Sequence, residues 1–281
     1  MRRLAISTWT LHRELGAMYR QAEHGSKEMI PNGGGEGRLS LLETPAELQK
    51  RGIAALEVCH FHFPSLENAY LNQFRAALDE AGIELYSLLI DTGDIAHPDD
   101  RQRQKEIETI RFWLRIAAQI GASHARVVAG GMDIGPQNGG AKDHPVIRQS
   151  AETLLALARE AAETDVQVNT ENFRPLTKTA ENLLAILDLC EGEVGLCADF
   201  GNYRGDNKYD QLAQIIPRAN VLHAKAHYPT AGQMEQKDFE KCLDLADDAD
   251  FNGPYSLIFD GPGSEWESVK QIQEVVQRRI H

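Results

Sequence analysis

Apolar and polar positions along the chain switch repeatedly between two periods. Strand-like runs recur as LAISTW (4–9), AALEVCHF (54–61), ELYSLLID (84–91), HARVVAG (124–130), VQVNTE (166–171), VGLCAD (194–199), VLHAKA (221–226) and PYSLIFD (254–260). Helical patterns lie between them. Ile107, Ile110, Leu114 and Ala117 share one helical face, as do Val269, Ile272 and Val276, while 154–163 and 181–190 are rich in strong helix formers. Gly52, Gly82, Gly121 and Gly192 each stand after a helix and before a strand, where helix C-caps belong.

Strand and helix in alternation imply a parallel sheet, and eight such units in this length fit a closed (β/α)8 barrel occupying residues 1–281 as one domain. An open doubly wound sheet would want a glycine-rich turn leading straight from the first strand into a helix. Here a long segment, 11–43, intervenes. Its NGGGEG (32–37) lacks the spacing of a phosphate cradle and reads as a mobile loop, expected to act as a lid over the barrel mouth.

In VQVNTE, Val166, Val168 and Thr170 alternate with Gln167, Asn169 and Glu171. If the first set meets the helices, Asn169 and Glu171 point into the barrel. A buried carboxylate must be neutralised, paired or bound to a cation.

The formal net charge of −13 repels nucleic acid and anionic lipid, and no Lys/Arg cluster offsets it. No apolar stretch nears the roughly 20 residues needed to cross a membrane. The start, MRRLAISTWT, reads as a strand, not a signal peptide, and the four cysteines form no CxxC pair. The expectation is a cytoplasmic protein acting on a small molecule; a homo-oligomer is compatible with it.

In a barrel the C-terminal strand ends meet at the active face. Those ends hold Glu57, His60 and His62, Asp91 and Asp94, Glu171 and Asn172, Asp199 and Asn202, His223, Lys225 and His227, and Asp260. Glu171, Asp199, His223 and Asp260 come from four consecutive strands. Three carboxylates at one mouth repel each other unless a cation sits among them. With an imidazole they make a hard set suited to Mn2+, Mg2+ or Co2+; Zn2+ would more usually recruit further His or Cys. Glu57 reads as a barrel-core acid paired with an arginine such as Arg126.

The motifs TEN (170–172), CADFGNY (197–203) and LHAK (222–225), with GIAALEV (52–58) as second strand, resemble the xylose isomerase-like TIM barrel superfamily. That group includes sugar isomerases and epimerases, inosose dehydratases and an AP-endonuclease branch. The resemblance implies a Glu ending strand five, an Asp ending strand six, a His before a Lys on strand seven and a Glu ending strand eight. Glu171, Asp199 and His223 match. Two positions depart: Asn202 replaces a histidine of the usual DxGH or DxxH, and Asp260 stands where a Glu is expected, two residues beyond the register position Ile258.

The resulting expectation is a metal-dependent isomerase or epimerase of a small sugar or polyol-derived hydroxy-ketone, working through proton transfer and an enediolate. Glu171, Asp260 and Lys225 are the catalytic candidates. Glu171, Asp199, His223 and Asp260 are the candidate metal ligands, and Asn202, His62, Arg174 and Trp9 would contact substrate. A keto-polyol dehydratase is the alternative that shares the proton-abstraction step. Phosphodiester hydrolysis of abasic DNA is disfavoured by Asn202 and by the charge, and a non-catalytic sugar-binding barrel would make the ligand set incidental.

Overall fold

The strand-period runs become strands of the expected kind in a computed structural model that describes residues 1–280. They are β1 (Arg3–Ser7), β2 (Ala55–Cys59), β3 (Glu84–Ile90), β4 (His124–Val127), β5 (Gln167–Glu171), β6 (Gly195–Asp199), β7 (Val221–Lys225) and β8 (Pro254–Ile258). Each is parallel to the next, and β8 pairs with β1 to close a (β/α)8 barrel. The helices that follow the strands are α1 (Thr44–Lys50), α2 (Asn68–Ala81), α3 (Asp100–Ile120), α4 (Pro145–Ala162), α5 (Ala180–Leu189), α6 (Lys208–Ile215), α7 (Gln236–Asp248) and α8 (Glu265–Gln277).

Local chemistry sets the helix ends. In α3 the Asp99 side chain accepts from the Gln102 N–H, and Gly121 closes the helix in the left-handed conformation. Between these caps Ile107, Ile110, Trp113, Leu114, Ala117 and Ile120 are buried against the barrel. The helix propensity is modest; the apolar stripe against the sheet holds α3 in place.

Several strands are shorter than their sequence patterns suggest, and hydroxyl groups explain the two that matter most. Ser7 Oγ accepts from the Trp9 N–H, which turns the chain after β1 into a 3-10 turn at Thr8–Leu11. Thr10 Oγ1 then donates to the Leu257 carbonyl at 2.8 Å and accepts from the Phe259 N–H at 3.0 Å. This side chain replaces a neighbouring strand at the top of β8, so β8 ends at Ile258 and Asp260 lies beyond it.

Inside the barrel, Ala5, Ala55, Tyr86, Cys197 and Val221 form a small apolar cluster. Toward the strand ends the interior turns polar: Glu57, Arg126, Asn169, Glu171, Asp199 and His223 are all buried. The strand register puts Glu57 beside Ser87, Arg126 beside Asn169 and Asp199 beside His223.

The segment 11–43 differs from the lid expected of it. It folds into one helical turn (His12–Leu15) and a hairpin of Tyr19–Gln21 with Met29–Pro31. None of its residues lines the barrel-mouth cavity; with His62, Pro64 and Tyr70 its Leu15–Glu43 part lines a separate groove. Its glycines serve close packing. At Gly34, with φ 80°, an added Cβ would lie 1.9 Å from the Gly16 carbonyl oxygen, and at Gly37 one would lie 2.2 Å from that of Leu15. Two stretches of backbone touch where a side chain cannot fit.

Gly34→Ala therefore meets both a disfavoured φ and a backbone clash. It should destabilise this segment by about 1–3 kcal/mol, with faster amide exchange in residues 14–39 and unchanged exchange in β5–β7. Hydrogen-exchange mass spectrometry of the variant checks it.

Candidate active site

The end of β5 is locked to the end of β6 by a side-chain amide. Asn172 Nδ2 donates to the Asp199 carbonyl at 2.9 Å, and its Oδ1 accepts from the Asp199 N–H at 2.7 Å. The amide thus copies a peptide group and extends the sheet by one rung. Asp199 then folds back, its Oδ1 accepting from the Gly201 N–H at 2.6 Å. The Lys225 side chain lies close over Gly201: a Cβ there would meet Lys225 Cδ at 2.7 Å and push the lysine aside.

His223 stands at the centre. Its Nε2 lies 3.0 Å from Glu57 Oε2, and its Nδ1 lies 3.5 Å from Asp199 Oδ2 and 3.6 Å from Glu171 Oε1. Burial would push the imidazole pKa down, but Cys197, Glu57 and Glu171 around it raise it well above the usual value. Burial would likewise raise Glu57, yet the facing His223 holds its carboxyl below the ordinary range. Glu57 therefore pairs with His223, where the sequence suggested an arginine.

The arginine goes elsewhere. Arg126, 4% exposed, donates through Nη1 to Asp91 Oδ1 at 2.5 Å. Its Nε lies 2.9 Å from Glu171 Oε2. That contact is an ion pair but not a hydrogen bond: both atoms are buried and neither has a hydrogen-bond partner. Close approach with poor alignment keeps the Coulomb attraction and leaves a carboxylate lone pair unused. The other Glu171 oxygen accepts from Asn202 Nδ2 at 3.0 Å.

These groups border a cavity of about 290 Å³. Its wall includes Glu171, Asp199, His223, Asn202, Arg174 and Trp9, all expected from the sequence. Lys225 and Asp260 line it too, bound to each other at 2.6 Å. Burial disfavours the ammonium, but Asp199 and Asp260 more than restore it and raise the Lys225 pKa. Asp260 thus lines the cavity bonded to Lys225, and Ile258 lines it at the register position beside Lys225 on β8.

His62 is not in the wall. The 3-10 turn at His60–His62 breaks the strand's alternation, so Phe61 faces the cavity instead. His62 Nδ1 is bound to Thr8 Oγ1 at 2.8 Å, and burial lowers its pKa to about 3. Sequence reasoning left out Phe61, Phe173 and Cys197 as site residues, and it gave Arg126 to Glu57 where the structure gives it to Asp91 and Glu171.

Arg174 sits on an unusual backbone. Its φ of 74° and ψ of 165° lie in a region essentially reserved for glycine, at a cost of about 1–3 kcal/mol. Thr177 holds it there: its Oγ1 accepts from the Phe173 N–H at 3.0 Å and lies 2.9 Å from the carbonyls of both Glu171 and Phe173.

The donor chemistry fits a divalent cation. Ligands of one ion stand roughly 3–4 Å apart, since each bond is about 2.0–2.6 Å long. Glu171 Oε1 and Asp199 Oδ2 each approach His223 Nδ1 at such spacings, while Glu171 Oε2 is turned toward Arg126. Glu57 behind His223 gives the outer carboxylate that orients a ligating imidazole. Glu171, Cys197 and His223 also bring ligand-type atoms within 4.8 Å of one another. Burial pushes the Cys197 thiol up to about 12, so it is a neutral thiol in the cation-free site. Its position nonetheless removes the ground for ranking zinc last, which was the lack of a neighbouring cysteine.

Comparison with known proteins gives one family and one fold. The family model for the xylose isomerase-like TIM barrel matches residues 45–278. None of the curated proteins matches the chain in sequence. A xylose isomerase-like TIM barrel protein from Mycobacterium smegmatis, solved in complex with magnesium, superposes with a TM-score of 0.66 at 15% identity, over 98% of this chain and 95% of that one. D-Psicose 3-epimerase from Clostridium cellulolyticum H10, solved with D-tagatose, gives 0.66 at 14% identity over 99% of both chains. The probable 3-DHS dehydratase AsbF from Bacillus anthracis gives 0.68 at 15% identity, over 98% of this chain and 99% of that one. At these identities the likeness is one of fold.

The Glu57–His223 pair has a pH signature in the cation-free protein. A raised histidine contributes stability fully below its unfolded pKa and loses it as pH rises through the folded value; a lowered carboxyl loses its share as pH falls through the folded value. The pair thus stabilises a window bounded by Glu57 on the acid side and His223 on the alkaline side. Glu57→Gln should cost about 3 kcal/mol at pH 7, and less at alkaline pH where His223 discharges. Urea denaturation in the presence of a chelator measures both.

Proposed function

Because the chain belongs to the xylose isomerase-like TIM barrel family, we propose that its barrel mouth carries out proton transfer on a small sugar or polyol-derived hydroxy-ketone, as an isomerase or epimerase. One observation supports this above others. Glu171, fixed at one oxygen by Asn202 and flanked at the other by Arg126, shares its cavity with the bonded Lys225–Asp260 pair.

Glu171 is the proposed base. A carboxylate held on both sides aims a lone pair into the cavity without having to reorganise as the C–H proton arrives. Lys225 supplies an ammonium to the oxygen that gains negative charge in the enediolate, and Asp260, hydrogen-bonded to it, completes a group able to return a proton. Trp9, Phe61, Phe173 and Ile258 present apolar surface to the sugar's C–H face and exclude water. Glu171, Asp199 and His223 would hold a divalent cation, Mn2+, Mg2+, Co2+ or Zn2+, which when bound polarises a substrate carbonyl.

A dehydratase is the second reading, and Ile258 is what favours it. Epimerisation needs an acid and a base on opposite faces of one carbon. On β8 the residue beside Lys225 is Ile258, and the nearest acid is committed to Lys225. A dehydratase needs only Glu171 to remove the proton and Lys225 to protonate the departing hydroxyl.

Incubation with ketoses and inososes in deuterium oxide tests both. Wild-type protein should place deuterium at the carbon next to the carbonyl, and Glu171→Gln should slow this by about a thousandfold. Labelled substrate or epimer supports the first reading; an unsaturated or dicarbonyl product minus water supports the second; undiminished exchange in Glu171→Gln moves the base elsewhere.

The cation has its own readout. After loading with Mn2+ and exhaustive dialysis, wild-type protein should retain about one ion per chain, and Asp199→Asn should retain far less while unfolding at a similar temperature. Elemental analysis decides, and full retention by Asp199→Asn removes Asp199 from the ligand set.

A further inference from the structure

Every cation in the cavity wall but one has a carboxylate within ion-pair distance among the described residues. Of the carboxylates in its wall, Asp91 and Glu171 share Arg126, at 2.5 and 2.9 Å. Asp260 holds Lys225 at 2.6 Å, and Asp199 lies 3.5 Å from His223. Just outside the wall, Lys178 is taken by Asp133. Arg174, exposed at the mouth, also lines the cavity; among the described residues no carboxylate lies within 4.0 Å of it, and its charge reaches Asp91 only from a distance. Its guanidinium carbon lies 4.8 Å from the centroid of the Phe173 ring, within cation–π distance.

The backbone supplies an independent observation. Arg174 adopts φ 74° and ψ 165°, where glycine would sit without strain. The buried Thr177 hydroxyl, bonded on both sides of it, keeps the loop in that shape. A cation held in a strained conformation, unpaired, in the wall of a site is spent on something the chain itself does not provide.

We propose that Arg174 receives a carboxylate of the substrate, so that the molecule handled by this cavity is a keto sugar acid and not a neutral sugar. This deepens the proton-transfer reading and rests on it for the reacting end of the substrate. The planar fork of a guanidinium matches a carboxylate in two parallel hydrogen bonds. Charge selects carboxylate over phosphate ester. One guanidinium matches one carboxylate in charge and in the spacing of its two oxygens, whereas the second charge of a phosphate ester would find no second unpaired cation in the wall among the described residues.

The test uses D-fructose, D-fructuronate and D-fructose 6-phosphate, which differ only at carbon 6. Binding to Mn2+-loaded wild-type, Arg174→Gly and Arg174→Lys protein is measured by calorimetry, with solvent-deuterium exchange followed in parallel. Wild-type protein should bind fructuronate at least about tenfold more tightly than fructose and more tightly than the phosphate. Arg174→Gly should bring the fructuronate-to-fructose ratio near one while raising the melting temperature, because glycine relaxes the strained backbone. Arg174→Lys should keep part of the preference. A ratio unchanged in Arg174→Gly, tighter binding of the phosphate, or no binding of fructuronate overturns the carboxylate site. Exchange separates the two ideas: exchange without a charge preference sinks the carboxylate alone, and a preference without exchange sinks proton transfer alone.

Discussion

The structure of the mouth depends on His223 lying between acids. Five carboxylates, Glu57, Asp91, Glu171, Asp199 and Asp260, crowd the open end of a barrel whose other interior layer is apolar. Such a set is tolerable only if positive charge is interleaved with it. His223 does this across the barrel, from β7 to Glu57 on β2 at one ring nitrogen and toward Glu171 and Asp199 at the other. Arg126 and Lys225 repeat the arrangement on either flank. A divalent cation beside His223 Nδ1 would take over the imidazole's charge, so the same geometry would suit a ligating histidine as it suits a protonated one.

Positions that accurate need support, and the support comes from short polar side chains just past the strand ends. Thr10 binds the Leu257 carbonyl and the Phe259 N–H, Asn172 binds both peptide groups of Asp199, and Thr177 binds the loop that follows Glu171. Each occupies the place a neighbouring strand would have filled. The barrel therefore hands over from sheet to site without leaving its last peptide groups unpaired. The same substitution of side chain for strand sets where each β-strand stops, and with it which residues reach the cavity.

Much of this was legible in the chain. Period-two runs marked all eight strands, and the polar half of VQVNTE pointed to an inward Glu171 once the alternation of strands and helices required the apolar half to meet the covering helices. The TEN, CADFGNY and LHAK motifs brought Glu171, Asp199 and His223 together because strand ends in a parallel barrel converge. What was not legible depends on non-local bonds. His62 leaves the cavity because Thr8, fifty-four residues earlier, captures its ring. Glu57 takes His223 and not Arg126 because the register aligns β2 and β7 across the interior, which no local pattern reports. The glycines of NGGGEG looked like freedom, and are close packing, since only the folded loop shows that Gly34 meets Gly16.

Asp260 is where local and global information diverge most. Its place in PYSLIFD suggested a strand residue pointing inward with the same parity as Ile258. Thr10 ends β8 at Ile258, the chain turns, and the carboxylate meets Lys225 on the neighbouring strand instead. A methylene shorter than glutamate and farther up the wall, it neutralises the lysine beside it, and the deeper position is left to an isoleucine. The consequence is an asymmetric cavity. Hard oxygen and nitrogen donors gather on β5, β6 and β7, an apolar face stands on β8, and among the described residues of the wall the cation without an ion pair follows β5, at Arg174. Such a cavity offers charge at one end, hydrogen-bonding groups in the middle and apolar surface on the far side. That order of forces follows from where one threonine stops one strand.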